Sequence, residues 1–232
     1  MKNNNSKKNI IFKNTQNPHL KFIDKNDLND YIIQIITTYI KNKNLEKVTL
    51  LDIGGGKGWG KILYEKNFID YYALDLKTSR KEDNITFIKG DITENNLNLD
   101  MNFDIIFTKD TFEHILNPWD ATNNILNHLK NEGLFIFLAP FSWRYHPSPY
   151  DVFRFTHTGV QYLFERFGGM KKMNSGYIKF GDIGGFWKNK KDKTIDDDKF
   201  KNCLEVIYVG KRDIDYKFSL DNLDSDFSWD HI

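Results

Sequence analysis

Four aspartates and a run of glycines occupy the positions at which a chain of alternating strands and helices can hold a ligand. Asp52 follows an apolar run beginning at Val48 and is succeeded by Gly54, Gly55, Gly56 and Gly58. Asp75 closes a second apolar run, Asp91 a third and Asp110 a fourth. Glycine permits tight turns and positive φ and removes the Cβ that would hold a ligand away from the backbone. Carboxylates accept hydrogen bonds from hydroxyl or amino groups. A glycine loop after the first strand of an α/β sheet is a place for nucleotide-like cofactors. An acid roughly 20 residues further on, as Asp75 is, can accept from both hydroxyls of a ribose. The alternative is a glycine-rich surface turn.

A second group of chemically able residues lies between Phe141 and Thr156. It holds Arg144, His146, Asp151 and Arg154 in one connection with Pro147 and Pro149. Histidine titrates near neutrality and suits a general base. Arginine suits an anionic group. Against this stands a packing role, in which Asp151 and Arg154 pair to lock the loop while Phe153 and Phe155 fill space.

The glycine pattern discriminates between cofactors. A dinucleotide fingerprint, G-x-G-x-x-G, fails because Trp59 or Lys61 stands where the third glycine belongs. A phosphate loop fails at Ile62, where a hydroxyl residue is required. What remains is D-x-G-x-G-x-G. This resembles the first motif of class I S-adenosylmethionine (SAM) methyltransferases. Tyr71–Asp75, Ile85–Ile92, Phe103–Asp110 and Gly133–Pro140 follow in order, and the segment Thr111 to Pro118, with Glu113-His114, looks like the "EH" segment of the type-11 methyltransferase domain. The resemblance covers about residues 45 to 170. It implies that Asp52 organises the loop and the methionine amino group, that Asp91 meets the adenine amino group, and that the next residue, Ile92, packs on the ring. It also brings Leu76 and Lys109 into the expected cofactor set. It gives His114 a supporting rather than a chemical role, and puts Asp110 near the sulfonium end.

The elements needed to position these residues can be read from periodicity. The expected fold is α/β: a Rossmann-like, doubly wound, seven-stranded sheet, mostly parallel with a closing antiparallel strand. Leu28, Tyr31, Ile32, Ile35, Ile36 and Tyr39 recur at helical spacing and predict a helix from Asp24 to about Asn42 that helps wall the cofactor site. A short helix is expected after the glycine loop to about Lys66. Another starts at Asn117-Pro118 and runs to about Lys130, with Ile125, Leu126 and Leu129 inward. Thr158 and Gln161 fit a capping box, and Val160, Leu163, Phe164 and Phe167 should line one face before Gly168-Gly169. Leu204–Gly210 should pair with a strand near Asn174–Phe180, and Gly181–Phe200 reads as a lid. One domain is expected over residues 21–212, between a flexible arm at 1–20 and an acidic tail at 213–232.

A chain of 232 residues is ample for one such domain, and its 40% hydrophobic content suits a packed core. Net charge is +1, so no global field points to nucleic acid or membrane. One cysteine, Cys203, gives no internal disulfide and no cysteine-based zinc site, and points to a reducing, cytoplasmic setting. No apolar run approaches the ~18 residues that cross a bilayer, and no secretory h-region is present. Residues 1–21 carry five lysines and no acid, and residues 211–232 six aspartates against three basic residues. These read as solvated tails; a basic RNA-binding arm would need arginine and aromatic interleaving.

Three functions compete. The first is methyl transfer from SAM to an oxygen of a small-molecule or glycan-linked acceptor, with or without a phosphate. The pattern H-x-x-P-x-D-x-x-R-F-T, from His146 to Thr156, is similar to methyltransferases near polysaccharide and glycan modification genes. Here His146, Asp110 and Arg154 are the catalytic candidates. An alcohol acceptor calls for a base, His146; a phosphate or carboxylate calls for Arg144 or Arg154 as an anchor. The second is a nucleic-acid or protein methyltransferase, disfavoured because no Asn/Asp-Pro-Pro-aromatic motif follows the fourth strand. The third is a non-catalytic partner protein, disfavoured by the intact acids. No metal is expected, since spacing alone assembles no full ligand set. Oligomeric state is not legible.

Overall fold

The computed structural model describes residues 13–14, 21–55, 60–77, 84–143, 145–147, 149–181 and 203–223. Gly56, Gly58, Arg144 and nearly all of the expected lid lie outside the described residues. The strands are β1 (Lys13–Asn14), β2 (Lys21–Asp24), β3 (Val48–Ile53), β4 (Ile69–Asp75), β5 (Ile85–Lys89), β6 (Phe103–Lys109), β7 (Leu129–Ser142), β8 (Met170–Gly181) and β9 (Cys203–Arg212). The helices are α1 (Leu28–Lys43), α2 (Lys61–Tyr64), α3 (Pro118–His128) and α4 (His157–Glu165).

Seven strands form the expected mixed sheet in the order β5-β4-β3-β6-β7-β9-β8. Strands β3 to β7 are parallel to one another; β9 runs antiparallel to both β7 and β8. The short β2 adds to the β8 edge in parallel, and β1 pairs antiparallel with β2. Strand order reverses at β3, so the carboxyl ends of β3, β4 and β6 diverge and open a crevice, the usual ligand position in such sheets.

Burial on both faces explains the strand sequences. Every residue of β6 from Phe103 to Thr108 is buried, as an interior parallel strand requires. Along β7, Phe135, Phe137 and Ala139 enter one core while Leu134, Ile136 and Leu138 enter the other. On the first face α3 and α4 cover a cluster of aromatic rings: Phe164 lies 4.5 Å from Phe135 and 5.4 Å from Phe137 between centroids. On the second face α1 buries Leu28, Tyr31, Ile32 and Ile36, with Ile35 and Tyr39 packed at its margin. α1 packs on the sheet through these residues, and none of them lines the cavity among the described residues.

Several boundaries differ from expectation. β7 begins at Leu129, straight after α3, and the expected turn from Lys130 to Gly133 is an irregularity inside the strand. There Glu132 has φ 64, and a Cβ on Gly133 would meet the Lys130 carbonyl at 2.8 Å. The cap of α4 is Thr156, whose hydroxyl accepts from the Gly159 N–H at 2.9 Å, and not the Thr158–Gln161 pair. Gln161 is buried and donates to Glu165 at 3.1 Å and to the Asn222 carbonyl at 2.8 Å. Phe167 is exposed, because α4 ends at Glu165 and the chain turns away through Gly168 and Gly169 at φ 73 and 75. Beyond the expected domain end, Tyr216 accepts from Gly169 N at 2.9 Å and donates from its hydroxyl to Glu165 at 3.2 Å, so residues 213–223 lie on the body. β1 likewise falls within the span read as an arm. No helix among the described residues is long and apolar enough to cross a membrane.

The capping assignment has a direct consequence. Thr156→Ala should lower stability by about 1 kcal/mol, whereas Thr158→Ala should stay within about 0.5 kcal/mol of the parent; urea denaturation of the two variants separates them.

Candidate active site

The carboxyl ends of β3, β4 and β6 and the turn after β5 enclose a cavity of about 350 Å³. Its floor is apolar, built from Ile53, Leu74 and the buried Ile92. Asp75 and Asp91 stand on its wall. Asp75 Oδ1 accepts from Lys77 N at 2.9 Å, and Asp91 Oδ1 accepts from the Thr93 N–H and hydroxyl, both at 2.8 Å. Each acid is thereby oriented through one oxygen, while its Oδ2 accepts no hydrogen bond among the described residues. Leu76 is exposed beside Asp75 at the mouth. Two oriented carboxylates over an apolar floor suit a ligand with neighbouring hydroxyls and a heteroaromatic ring.

The glycine loop meets this cavity at Gly54, which has φ 76 and donates its N–H to the Leu74 carbonyl at 2.8 Å. A Cβ there would lie 2.2 Å from Thr111 Oγ1, and one on Gly55 would lie 2.6 Å from Asp52 Cγ. At these two positions the missing side chain is required by the protein's own packing, not only by a ligand. Thr111 Oγ1 in turn lies within hydrogen-bonding distance of the Ile53 carbonyl at 3.2 Å and the Lys109 carbonyl at 3.1 Å. Asp52 does not line the cavity; it is buried beneath the loop and accepts from the Tyr71 hydroxyl. Burial pushes its carboxyl up to about 7; the Tyr71 hydrogen bond opposes this and the charge of Asp75 adds to it.

At the other end of the cavity stand Asp110, Thr111, His114 and Pro149. Asp110 has φ 52, an unusual backbone region for a residue with a side chain. It pairs with Lys109, whose ammonium also donates to both oxygens of Glu205 at 2.9 and 3.0 Å. Burial disfavours the Lys109 charge, but the carboxylates of Glu205 and Asp110 outweigh it and raise its pKa. Lys109 is thus spent on these acids and is not at the cavity wall.

The connection after β7 is pinned to the 3-10 turn Phe112–His114, because the Glu113 carbonyl accepts from Val152 N at 2.8 Å and Phe153 N at 3.3 Å. Arg154 binds Asp151 with both terminal nitrogens, one contact at 2.7 Å, and also donates to the Phe153 carbonyl at 2.8 Å. The Arg154 hydrogen bond pulls the Asp151 carboxyl down to about 2 against the opposing effect of burial, and the His146 N–H bond at 2.7 Å helps. His146 and Arg154 do not line the cavity; His114 does. His146 sits behind it, the two rings edge-to-face at 5.1 Å between centroids. Sequence reasoning gave Tyr71, Thr111 and Glu113 no role. Thr111 and Glu113 follow β6 in the stretch where Asp110 is expected to face the ligand, which is the one signal that could have singled them out.

A family model described as a methyltransferase domain matches residues 18–175, and the chain belongs to that family. Solved structures agree in fold. A SAM-dependent methyltransferase from Clostridium acetobutylicum is 17% identical, with TM-score 0.50 over 82% of this chain and 93% of that one. The 1,6-didemethyltoxoflavin-N1-methyltransferase of Burkholderia thailandensis, with S-adenosylhomocysteine (SAH) bound, is 12% identical, with TM-score 0.54 over 76% of each chain. Coclaurine N-methyltransferase, also bound to SAH, is 13% identical, with TM-score 0.56 over 79% and 71%. Comparison with curated protein sequences gives no match. The protein is a SAM-dependent methyltransferase.

Two measurements follow. Asp75→Ala should weaken SAH binding by about 1.5–3 kcal/mol for each hydrogen bond lost, read by calorimetry. Asp52 has a folded pKa above its unfolded one, so it favours the folded state least once both states are ionised. Stability attributable to it is full below about pH 4 and is lost as pH rises through about 7. Asp52→Asn, which keeps an oxygen for Tyr71, should remove that part of the pH dependence; identical pH profiles for parent and variant would contradict the assignment.

Proposed function

We propose that the enzyme transfers the methyl group of SAM to a hydroxyl oxygen of a small-molecule or glycan-linked acceptor in the cytoplasm. One observation carries the reading: a single cavity joins Asp75 and Asp91 at one end to Asp110 and His114 at the other. In this reading Asp75 accepts from the ribose hydroxyls, Asp91 takes the adenine amino group, and Ile92 and Leu76 pack on the ring. Gly54 and the rest of the loop, Gly55, Gly56 and Gly58, lie beneath the methionine portion, with Asp52 supporting them. The cofactor supplies a methyl group already activated on a sulfonium. The protein's task is to align the acceptor oxygen and to receive its proton. Alignment alone contributes several kcal/mol when the geometry is near attack.

Asp110 is the proposed proton acceptor, held at the cavity wall by its backbone turn and by Lys109. His114 lines the same cavity, with His146 packed edge-to-face against it. Arg154 is committed to Asp151, and the cavity wall carries three carboxylates, Asp75, Asp91 and Asp110. That balance favours a neutral acceptor over a phosphate-bearing one. The named neighbours that act on small molecules support an acceptor of that size. The His146-to-Thr156 pattern supports a glycan-linked one only by resemblance, since much of it serves to fix the loop.

The test is incubation of the enzyme and SAM with a panel of hydroxyl, amine and phosphate-bearing acceptors, nucleotide sugars included, with SAH release and product mass as readouts. Methylated hydroxyl groups are expected. Transfer only to amines or to nucleic acid would overturn the reading. With a productive acceptor, Asp110→Asn should lower kcat about 10²–10⁴-fold while SAH binding stays at the parent value.

A further inference from the structure

Glu113 is a carboxylate with no solvent exposure, and neither of its oxygens accepts a hydrogen bond among the described residues. Burying a carboxylate in this way is costly unless a proton or a positive charge meets it. Two imidazoles converge on the same oxygen. Nε2 of His146 lies 3.5 Å from Glu113 Oε1, and Nε2 of His114 lies 3.6 Å from it. One ligand atom from each of the three residues falls within 4.8 Å of the others.

The far side of each ring defines what Nε2 is. His114 Nδ1 contacts the Tyr150 carbonyl, which only accepts, so Nδ1 carries the proton. His146 Nδ1 faces the Asp151 carboxylate at 3.2 Å, which orients it in the same sense. In the neutral rings Nε2 is then a lone-pair nitrogen, and three electron-pair donors point at one another. Protons on the Nε2 atoms would be an alternative, but 3.5 and 3.6 Å are too long for N–H···O bonds. They do match the edges of a tetrahedron whose centre-to-ligand bonds are about 2.0–2.2 Å, which run to about 3.3–3.6 Å. A carboxylate behind a ligating histidine, as Asp151 stands behind His146, is the common outer arrangement of zinc sites.

From this convergence we propose that Glu113, His114 and His146 bind one divalent transition-metal cation of the zinc class, contrary to the expectation from spacing alone. Two histidines and one carboxylate leave a coordination position for water or substrate. Because His114 also lines the cavity, that position lies toward the acceptor end. There the cation lowers the pKa of a bound hydroxyl; this use, though not the site, rests on the acceptor reading above.

The test uses the untagged full-length chain, stripped with a chelator and titrated with Co²⁺. One equivalent should bind with a visible absorption band that Zn²⁺ displaces. His114→Ala and His146→Ala should each weaken Co²⁺ binding on the order of 100-fold or more, and Asp151→Asn about 10–100-fold. Should a variant fail to fold, the ¹⁵N-labelled parent answers the question. On Zn²⁺ addition the Nε2 signals of two histidines should shift while their Nδ1 atoms stay protonated. Absence of stoichiometric Co²⁺ binding, unchanged affinity in both histidine variants, or two doubly protonated imidazoles at neutral pH would each overturn the site. Calorimetry with SAH reads the cofactor site separately, so failure there leaves the metal result standing, and the reverse.

Discussion

The contact between Gly54 and Thr111 is the constraint on which the site depends. It brings the residue after β3 against the residues after β6, across the point where strand order reverses. With any side chain at 54 the two strand ends would be driven apart, and the apolar floor of Ile53, Leu74 and Ile92 would no longer face Asp110 and His114 across one cavity. The left-handed backbone of Gly54 and that of Asp110 sit on either side of this contact. Two unusual turns, stacked, aim the loop after β3 and the loop after β6 into the same space.

A second layer of order comes from polar groups withdrawn from solvent. The Tyr71 hydroxyl donates to Asp52, and the two side chains pack against Gly60, with Asp52 also against Gly55. Glu113 holds the 152–153 backbone through its carbonyl, and Asp151 gathers His146 and Arg154. Residues 149 to 156 are therefore held by the Glu113 carbonyl and by the Asp151 carboxylate, with Phe155 packed into the aromatic core beneath.

Much of the fold was legible because hydrophobic period and burial coincide. The alternation of Phe135, Ile136, Phe137 and Leu138 reports a strand buried on both faces, and the spacing of Leu28, Tyr31, Ile32 and Ile36 reports a helix with one buried face. Helix ends were less legible. Thr156 and Thr158 are both plausible caps by type, and only the burial of Gln161 distinguishes them. In the site, Asp75, Asp91 and Asp110 could be placed because acids at strand ends are positioned by the sheet itself. Lys109 could not, since its partner Glu205 comes from a distant segment, whereas the Asp151–Arg154 pair is local and could be read from its spacing. Glu113 and His146 are 33 positions apart, with α3 and β7 between them, and no local pattern announces that they meet.

The pairing of β2 with β8 also bears on how the molecule behaves among its own copies. A seven-stranded sheet of this order ends in the long β8, whose free backbone groups would template another chain. β2 covers part of that edge, and β1, two residues long, becomes the new border. The opposite border is β5, five residues long, with Thr86 and Lys89 exposed. Both margins are thus too short or too polar to nucleate strand-to-strand association. The N-terminal pair serves as a guard against aggregation, and a chain shortened past Asp24 would present β8 bare.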